Sequence, residues 1–261
     1  MTMEITFWGV RGSLPVSGKC YQETGGHSSC VSVVVNQKHA IIFDAGSGLL
    51  DCGRWLMTTS HRLVHLFITH LHIDHILGLP FFPFVWNPEC TINIYSERPD
   101  LMLFLEQTLF HTPLFPVNLK DVRARLNFHL LSVGNPSSLD SGTSVNNHPL
   151  NHPGSAIGYR LEAENKSVCY ITDTEHDPQQ LDQALIEFIR GTDLLIYDSA
   201  YTEDEYILKR GWGHSTHIRA AELAKAAKVN QLALFHHDIA HDDGVILKSE
   251  SEAQKIFPAT F

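Results

Sequence analysis

Residues 66–75 read Leu-Phe-Ile-Thr-His-Leu-His-Ile-Asp-His, an apolar run followed at once by three imidazoles and a carboxylate. A short β-prone run that ends in polar groups is a buried strand delivering side chains to the end of a sheet. Four such polar groups cannot be packed into an apolar core without partners. His70 and His72 alternate in extended chain, so they point to the same side and can share one ion. Asp74 and His75 continue into the next turn and can hold a second ion. A site for two cations needs further ligands from elsewhere in the chain, and a catalytic one leaves room for water or substrate.

Composition agrees with this reading. The chain has 17 histidines against 19 lysines and arginines together, an excess for which metal ligation is the commonest explanation. The five cysteines, Cys20, Cys30, Cys52, Cys90 and Cys169, include no C-x-x-C pair, so they read as buried thiols and not as a disulfide framework or zinc site. A net charge of −10 argues against an extended nucleic-acid-binding surface, although a local phosphate site remains compatible with it. No apolar run approaches the ~18 residues of a membrane span, so no membrane partner is expected. The opening residues read as a first strand and not as a signal peptide, which predicts a cytoplasmic protein. With no repeat or linker, residues 1–261 are expected to form a single domain.

Strands are predicted at 5–8, 31–35, 40–43, 66–69, 91–95, 126–131, 168–172, 194–197 and 232–235. Asp177-Pro178 reads as the N-cap and first position of a helix carrying Leu181, Leu185, Phe188 and Ile189, with Gly191 as its stop. A second helix is expected from near Ser215, bearing Ile218, Ala221, Ala224 and Ala227. Shorter helices are expected at 49–57 and, capped by Asp100, at 101–110. A β-rich first half followed by strand-helix alternation implies two sheets packed together with helices outside. The proline-bounded stretch 80–88, with Phe81, Phe82, Phe84 and Trp86, is either a loop covering the core or one wall of a cleft.

Residues 69–75, Thr-His-Leu-His-Ile-Asp-His, resemble the signature of the metallo-β-lactamase fold superfamily. The segments 7–15 (Phe-Trp-Gly-Val-Arg-Gly-Ser-Leu-Pro), 28–30 (Ser-Ser-Cys) and 42–48 (Ile-Phe-Asp-Ala-Gly-Ser-Gly) are similar to the opening of its phosphodiesterase branch, which includes ribonuclease Z and the phosphonate-pathway cyclic phosphodiesterase. The resemblance implies an α/β fold, a four-layer αββα sandwich with two mixed β-sheets between helices. His152, followed six positions later by Gly158-Tyr159, matches the branch's third ligand motif, and Asp173 matches the carboxylate that bridges both ions. Of the adjacent His236 and His237, His236 is preferred as the last ligand because it directly follows the apolar run and the branch places its ligand there. The implied set is His70, His72 and His152 on one ion, Asp74, His75 and His236 on the other, and Asp173 between them.

Gly213-His214-Ser215-Thr216 matches the motif that, in ribonuclease Z relatives, sets a histidine over the scissile phosphate, and Asp198 falls where that branch carries its acidic partner. The resemblance therefore implies a hydrolase with two divalent ions, zinc before manganese, in which a metal-bridging hydroxide attacks phosphorus. Asp74 and Asp173 would orient the nucleophile, and His214, steadied by Asp198, would bind the substrate and either stabilise developing negative charge or protonate the leaving oxygen. His176, Tyr201 and residues 241–243 are candidates for supporting roles. His27 departs from the family's pattern, which has asparagine there. Segment 97–125 is mixed in charge and lacks a long basic, glycine-rich arm, so the expected partner is a small phosphodiester or cyclic nucleotide and not tRNA. A homodimer is compatible with these features. Ester, thioester or lactam hydrolysis is the alternative on the same fold. A di-iron oxidoreductase would carry glutamate in place of His72, and a metal-free binding protein would have lost ligands.

Overall fold

The apolar and alternating runs of the first half become the strands β1 (Met3–Gly9), β2 (Cys30–Val35), β3 (His39–Phe43), β4 (Leu63–Phe67), β5 (Thr91–Ser96) and β6 (Arg125–Leu130). In the computed structural model, which describes residues 2–261, they form one sheet in chain order. The pairs β1–β2 and β2–β3 are antiparallel, and β3 to β6 run parallel. This sheet belongs to a first unit, made of the chain up to Gly9 together with His27–Ser132. Helices α1 (Leu49–Met57) and α2 (Leu101–Gln107) pack on it. Val34, Ala40, Ile42, Val64, Leu66, Ile92 and Ile94 face Leu49, Cys52, Leu56, Leu101 and Leu105 in one buried cluster. β3 is buried on both faces, which is why it reads as a continuous apolar run. The 80–88 stretch forms short 3-10 turns whose Phe82, Phe84 and Val85 enter the same cluster, so its main part covers the core.

The second unit comprises Val10–Gly26 and Val133–Phe261. Its strands are β7 (Ser137–Asp140), β8 (Thr143–Leu150), β9 (Ala156–Ala163), β10 (Lys166–Ile171), β11 (Leu194–Asp198) and β12 (Gln231–Phe235). The order is β12-β11-β10-β9-β8-β7, parallel from β10 to β12 and antiparallel from β7 to β10. Helices α3 (Gln183–Ile189), α4 (Glu203–Leu208), α5 (His217–Ala227) and α6 (Asp243–Gln254) complete it. Ile171, Leu195, Tyr197, Leu232 and Leu234 pack with Leu185, Ile189, Ala220, Leu223 and Ala224. Both units thus contain a mixed sheet with helices, as the sequence implied.

Three strands, β7 to β9, are absent from the sequence-based expectation. β8 alternates buried and partly buried positions over residues 143–148, but two of its inward residues are the polar Thr143 and Asn147. The buried Asn147 amide satisfies the Gly134 N–H and the Asn135 carbonyl, so its polarity is locally matched. The predicted start of α3 is also corrected. Asp182, not Asp177, caps it by accepting from Leu185 N, whereas Asp177 accepts from Gln179 N in a separate turn. Asp100 makes no cap bond, because its carboxylate is engaged by Arg98 at 2.8 Å. Cys30, Cys52, Cys90 and Cys169 are buried thiols as expected, and Cys20 is exposed. Among the described residues, no helix is long and apolar enough to cross a membrane.

Candidate functional site

In the first unit the parallel strands deliver polar residues at their C-terminal ends. Beyond β4, His70, Asp74 and His75 are buried and His72 is exposed, with Ile73–His75 forming a 3-10 turn. The His70 and His72 rings meet edge to face with centroids 4.5 Å apart, and the His70 and His75 rings lie at 4.3 Å. His75 Nε2 lies 3.3 Å from Asp74 Oδ2. His75, and the Thr69 that precedes His70, are held by a residue to which the sequence reading gave no role, Asp44. It follows β3 with φ near 60°, in the left-handed region that non-glycine residues seldom occupy. Its fully buried carboxylate accepts from His75 Nδ1 at 2.7 Å, from Thr69 N at 2.8 Å and from the Thr69 hydroxyl at 2.9 Å. The signal available in the sequence was a lone aspartate ending the apolar run 40–43.

Glycine permits the close approach beneath this loop. A Cβ at Gly46 would stand 2.4 Å from the Asp74 carbonyl oxygen, so the backbone of 44–48 and the histidine loop touch directly. His27 takes part in the same support, with Nδ1 at 3.0 Å from Ser47 Oγ and Nε2 at 3.5 Å from Asp51.

In the second unit the corresponding groups come from separate loops. His152 follows β8 and is buried, donating from Nδ1 to the Gly213 carbonyl at 2.9 Å. Its Nε2 lies 3.9 Å from Asp173 Oδ1. Asp173 and His236 directly follow Thr172 and Phe235 with φ of 55° and 62°, the same unusual conformation as Asp44. His236 Nε2 is 3.3 Å from Asp173 Oδ2, and the Thr172 hydroxyl donates to that oxygen at 2.6 Å. His237 instead bonds through its backbone to Val10 and Gly12, and burial together with Arg11 pushes its imidazole down to about 3.

His214 sits against this set. Its Nδ1 donates to Asp198 Oδ2 at 2.8 Å, and its ring stacks on His236 with centroids 4.8 Å apart. Asp173, His214 and His236 each offer a ligand atom within 4.8 Å of the others. The fully buried Asp198 also accepts from the backbone N–H groups of Ala200 and Ser215 at 3.1 Å and of Thr174 at 3.3 Å, which fixes the carboxylate before it meets the imidazole.

Three further supports were missed in the sequence. Glu175 accepts from Gly211 N and Gly213 N at 2.8 Å, pinning the loop that carries His214. The buried Arg11 donates from Nε to the Gly25 carbonyl at 2.8 Å and from Nη1 to the His241 carbonyl. Gly12 lies where a Cβ would meet the His236 ring at 2.4 Å. Of the candidates for supporting roles, His176 meets Ser215 Oγ through Nδ1 at 2.8 Å and burial lowers it to about 4. The Tyr201 ring stands at right angles to His214 at 5.6 Å, whereas His241 is paired with Glu205 and Asp243 accepts from Glu23 N and Thr24 N.

A family model described as beta-lactamase superfamily domain matches residues 39–237. The chain is 26% identical to a ribonuclease Z of Oceanobacillus iheyensis, with 99% of this chain and 97% of that one covered. Among solved structures, the metallo-beta-lactamase fold protein YhfI from Bacillus subtilis matches with a TM-score of 0.73 at 18% identity, covering 99% of this chain and 94% of that one. A diphosphatase from the PhnP family matches with a TM-score of 0.70 at 17% identity, covering 99% and 94%.

Proposed function

This chain belongs to the beta-lactamase superfamily domain family and is a metal-dependent hydrolase; from that premise we propose that it cleaves a small phosphodiester, with two divalent cations held by its histidines and aspartates. His70, His72 and His152 would hold one ion and Asp74, His75 and His236 the other, with Asp173 serving both. The residues fit such ions. Imidazole and carboxylate donors suit zinc, and manganese is also compatible. His75 and His152 have Nδ1 committed to Asp44 and to the Gly213 carbonyl, which fixes the tautomer that presents Nε2 as a donor. When bound, the cations supply Lewis acidity and make hydroxide available at neutral pH.

The observation that carries the choice of substrate is the pairing of His214 with Asp198 at 2.8 Å beside Asp173 and His236. A carboxylate on Nδ1 favours the imidazolium and fixes the ring, leaving Nε2 to hold a non-bridging phosphate oxygen or to protonate the leaving oxygen. Phosphoryl transfer spreads negative charge over the equatorial oxygens, so a positioned donor there is especially effective. A small substrate is favoured because Arg98, Lys120, Arg123 and Arg125 are interspersed with Glu97, Asp100, Glu106 and Asp121, and Arg98 is already paired with Asp100. The ribonuclease Z relative and the PhnP-family diphosphatase carry names that agree with chemistry at phosphorus.

Protein loaded with Zn²⁺ or Mn²⁺ is expected to turn over bis(p-nitrophenyl) phosphate and 2′,3′-cyclic AMP faster than nitrocefin or simple thioesters, with two ions per chain by elemental analysis. Preference for a carbonyl substrate, or protein that takes up no metal, would overturn the reading.

A further inference from the structure

We infer that Trp212 is a stacking platform for a planar base on the substrate, which makes the site selective for nucleoside phosphodiesters over alkyl ones; the inference rests on the phosphodiesterase reading above. Of the four tryptophans, Trp8, Trp55 and Trp86 are half-buried, and Trp8 and Trp55 pack against one another with centroids 5.6 Å apart. Trp212 is 63% exposed. An indole carries a large apolar face, and one presented to water on an ordered loop is suited to receive another ring.

The loop is ordered by contacts on either side of the indole. Gly211 N and Gly213 N both donate to Glu175, and Trp212 N donates to the Lys209 carbonyl at 3.2 Å. The two glycines have φ of 86° and 88°, so this shape depends on residues that enter the left-handed region freely. A Cβ on Gly213 would meet His152 Nδ1 at 2.2 Å, and the Gly213 carbonyl is the acceptor that orients that ring. The segment that exposes Trp212 is therefore the one that orients His152 and delivers His214. Two residues of chain place the Cα atoms of Trp212 and His214 at most about 7 Å apart, a separation that one nucleoside monophosphate can bridge. Arg210, also exposed, adds a cation close to the platform, its guanidinium 5.5 Å from the centre of the Tyr206 ring. An aromatic face, a cation and a phosphate-directed imidazole within five residues match a base, its phosphate and the scissile bond. Ile207 and Leu208 are exposed on α4 as well, but their placement does not involve the catalytic loop.

Base stacking on an aromatic residue is worth roughly tenfold or more in affinity by alanine substitution. On the metal-loaded protein, W212A is expected to raise KM for 2′,3′-cyclic AMP about tenfold with little change in kcat, and to leave hydrolysis of ethylene phosphate, which has no base, unchanged. W212F should recover most of the loss. Equal loss on both substrates, or on neither, overturns the inference. An independent reading is quenching of indole fluorescence by adenosine 5′-monophosphate, expected in the wild type and lost in W212F. Quenching without turnover of any phosphodiester would sustain the platform and sink the hydrolytic reading, whereas turnover without quenching would do the reverse. A dimer that dissociates in W212A would assign the indole to a second copy of the chain and overturn the proposal.

Discussion

In the first unit, His70, His72, Asp74 and His75 follow one strand within six residues, and a single carboxylate, Asp44, orders them through Thr69 and His75. In the second, His152, Asp173, His214 and His236 come from four loops and are fixed by unlike devices: a main-chain carbonyl, a neighbouring hydroxyl, a carboxylate and a glycine-lined gap. The first arrangement has a support that one side-chain substitution removes. The second spreads its support over the backbone, and it includes His214, which is held by Asp198 and has no part in the proposed ion set. The difference teaches that a local cluster supplies binding density, while the dispersed set separates ligands from the group expected to act on substrate.

The sharpest way to break this comparison is to remove one histidine from each unit. His214→Ala is expected to lower kcat by about 10²- to 10⁴-fold with metal content unchanged, whereas His75→Ala should lose activity and metal together. Elemental analysis alongside turnover separates the two, and equal metal loss in both variants would erase the distinction.

Next in size is the support itself. Asp44→Asn is expected to weaken metal binding by about 10- to 100-fold without unfolding the protein, read by competition with a chromogenic chelator. Undiminished affinity would mean that Thr69 and the backbone of 44–48 suffice to order the first set.

A smaller effect should follow acidification. Burial and the neighbouring His39 and His129 push His65 down to about 4, and its Nδ1 lies 3.1 Å from the Tyr95 hydroxyl. The unfolded chain protonates near 6.5, so the stability contributed by neutral His65 is full above that value and is lost as pH falls toward 4. Between pH 8 and pH 5 the loss is about 2 kcal/mol, measurable by denaturant unfolding. His65→Asn should flatten that dependence, and an unchanged pH profile would place the acid sensitivity elsewhere.

The smallest expected change compares helix caps. Thr202 and Glu205 form a capping box on α4 in the second unit, so Thr202→Ala should cost about 1 kcal/mol. Asp100→Ala in the first unit should cost less, because Asp100 makes no cap bond to α2. Thermal unfolding of both variants checks the order.

Legibility of the sequence followed locality. The His70–His75 cluster could be read because its members are adjacent and follow an apolar strand. The strands β3 to β5 and β10 to β12 could be read because they lie in parallel, deeply buried parts of the sheets, where most residues are apolar. β8 escaped because its inward positions include Thr143 and Asn147 and its strand contains Pro149, so the period of two is present in burial but not in hydrophobicity. Asp177 looked like a cap because it precedes a proline, yet nothing in the local pattern reveals that Asp182 lies where an aspartate can reach the N–H of Leu185. Arg11 and Asp44 lie in segments that resemble the family's opening and Glu175 in none, yet no role was readable for any of them, since a residue that supports another is defined by distance and not by spacing.

By itself the sequence determined that this chain builds two sheets with helices, that histidines gather at a strand end, and that a helix begins shortly after His214. These are consequences of period, composition and nearest-neighbour sterics, which act within a few residues. Only the tertiary structure decided that Asp44 supports His75 and that the Gly213 carbonyl orients His152. Those pairings join residues 31 and 61 positions apart, and a hydrogen bond is selected by separations of a few tenths of an ångström that no linear pattern records.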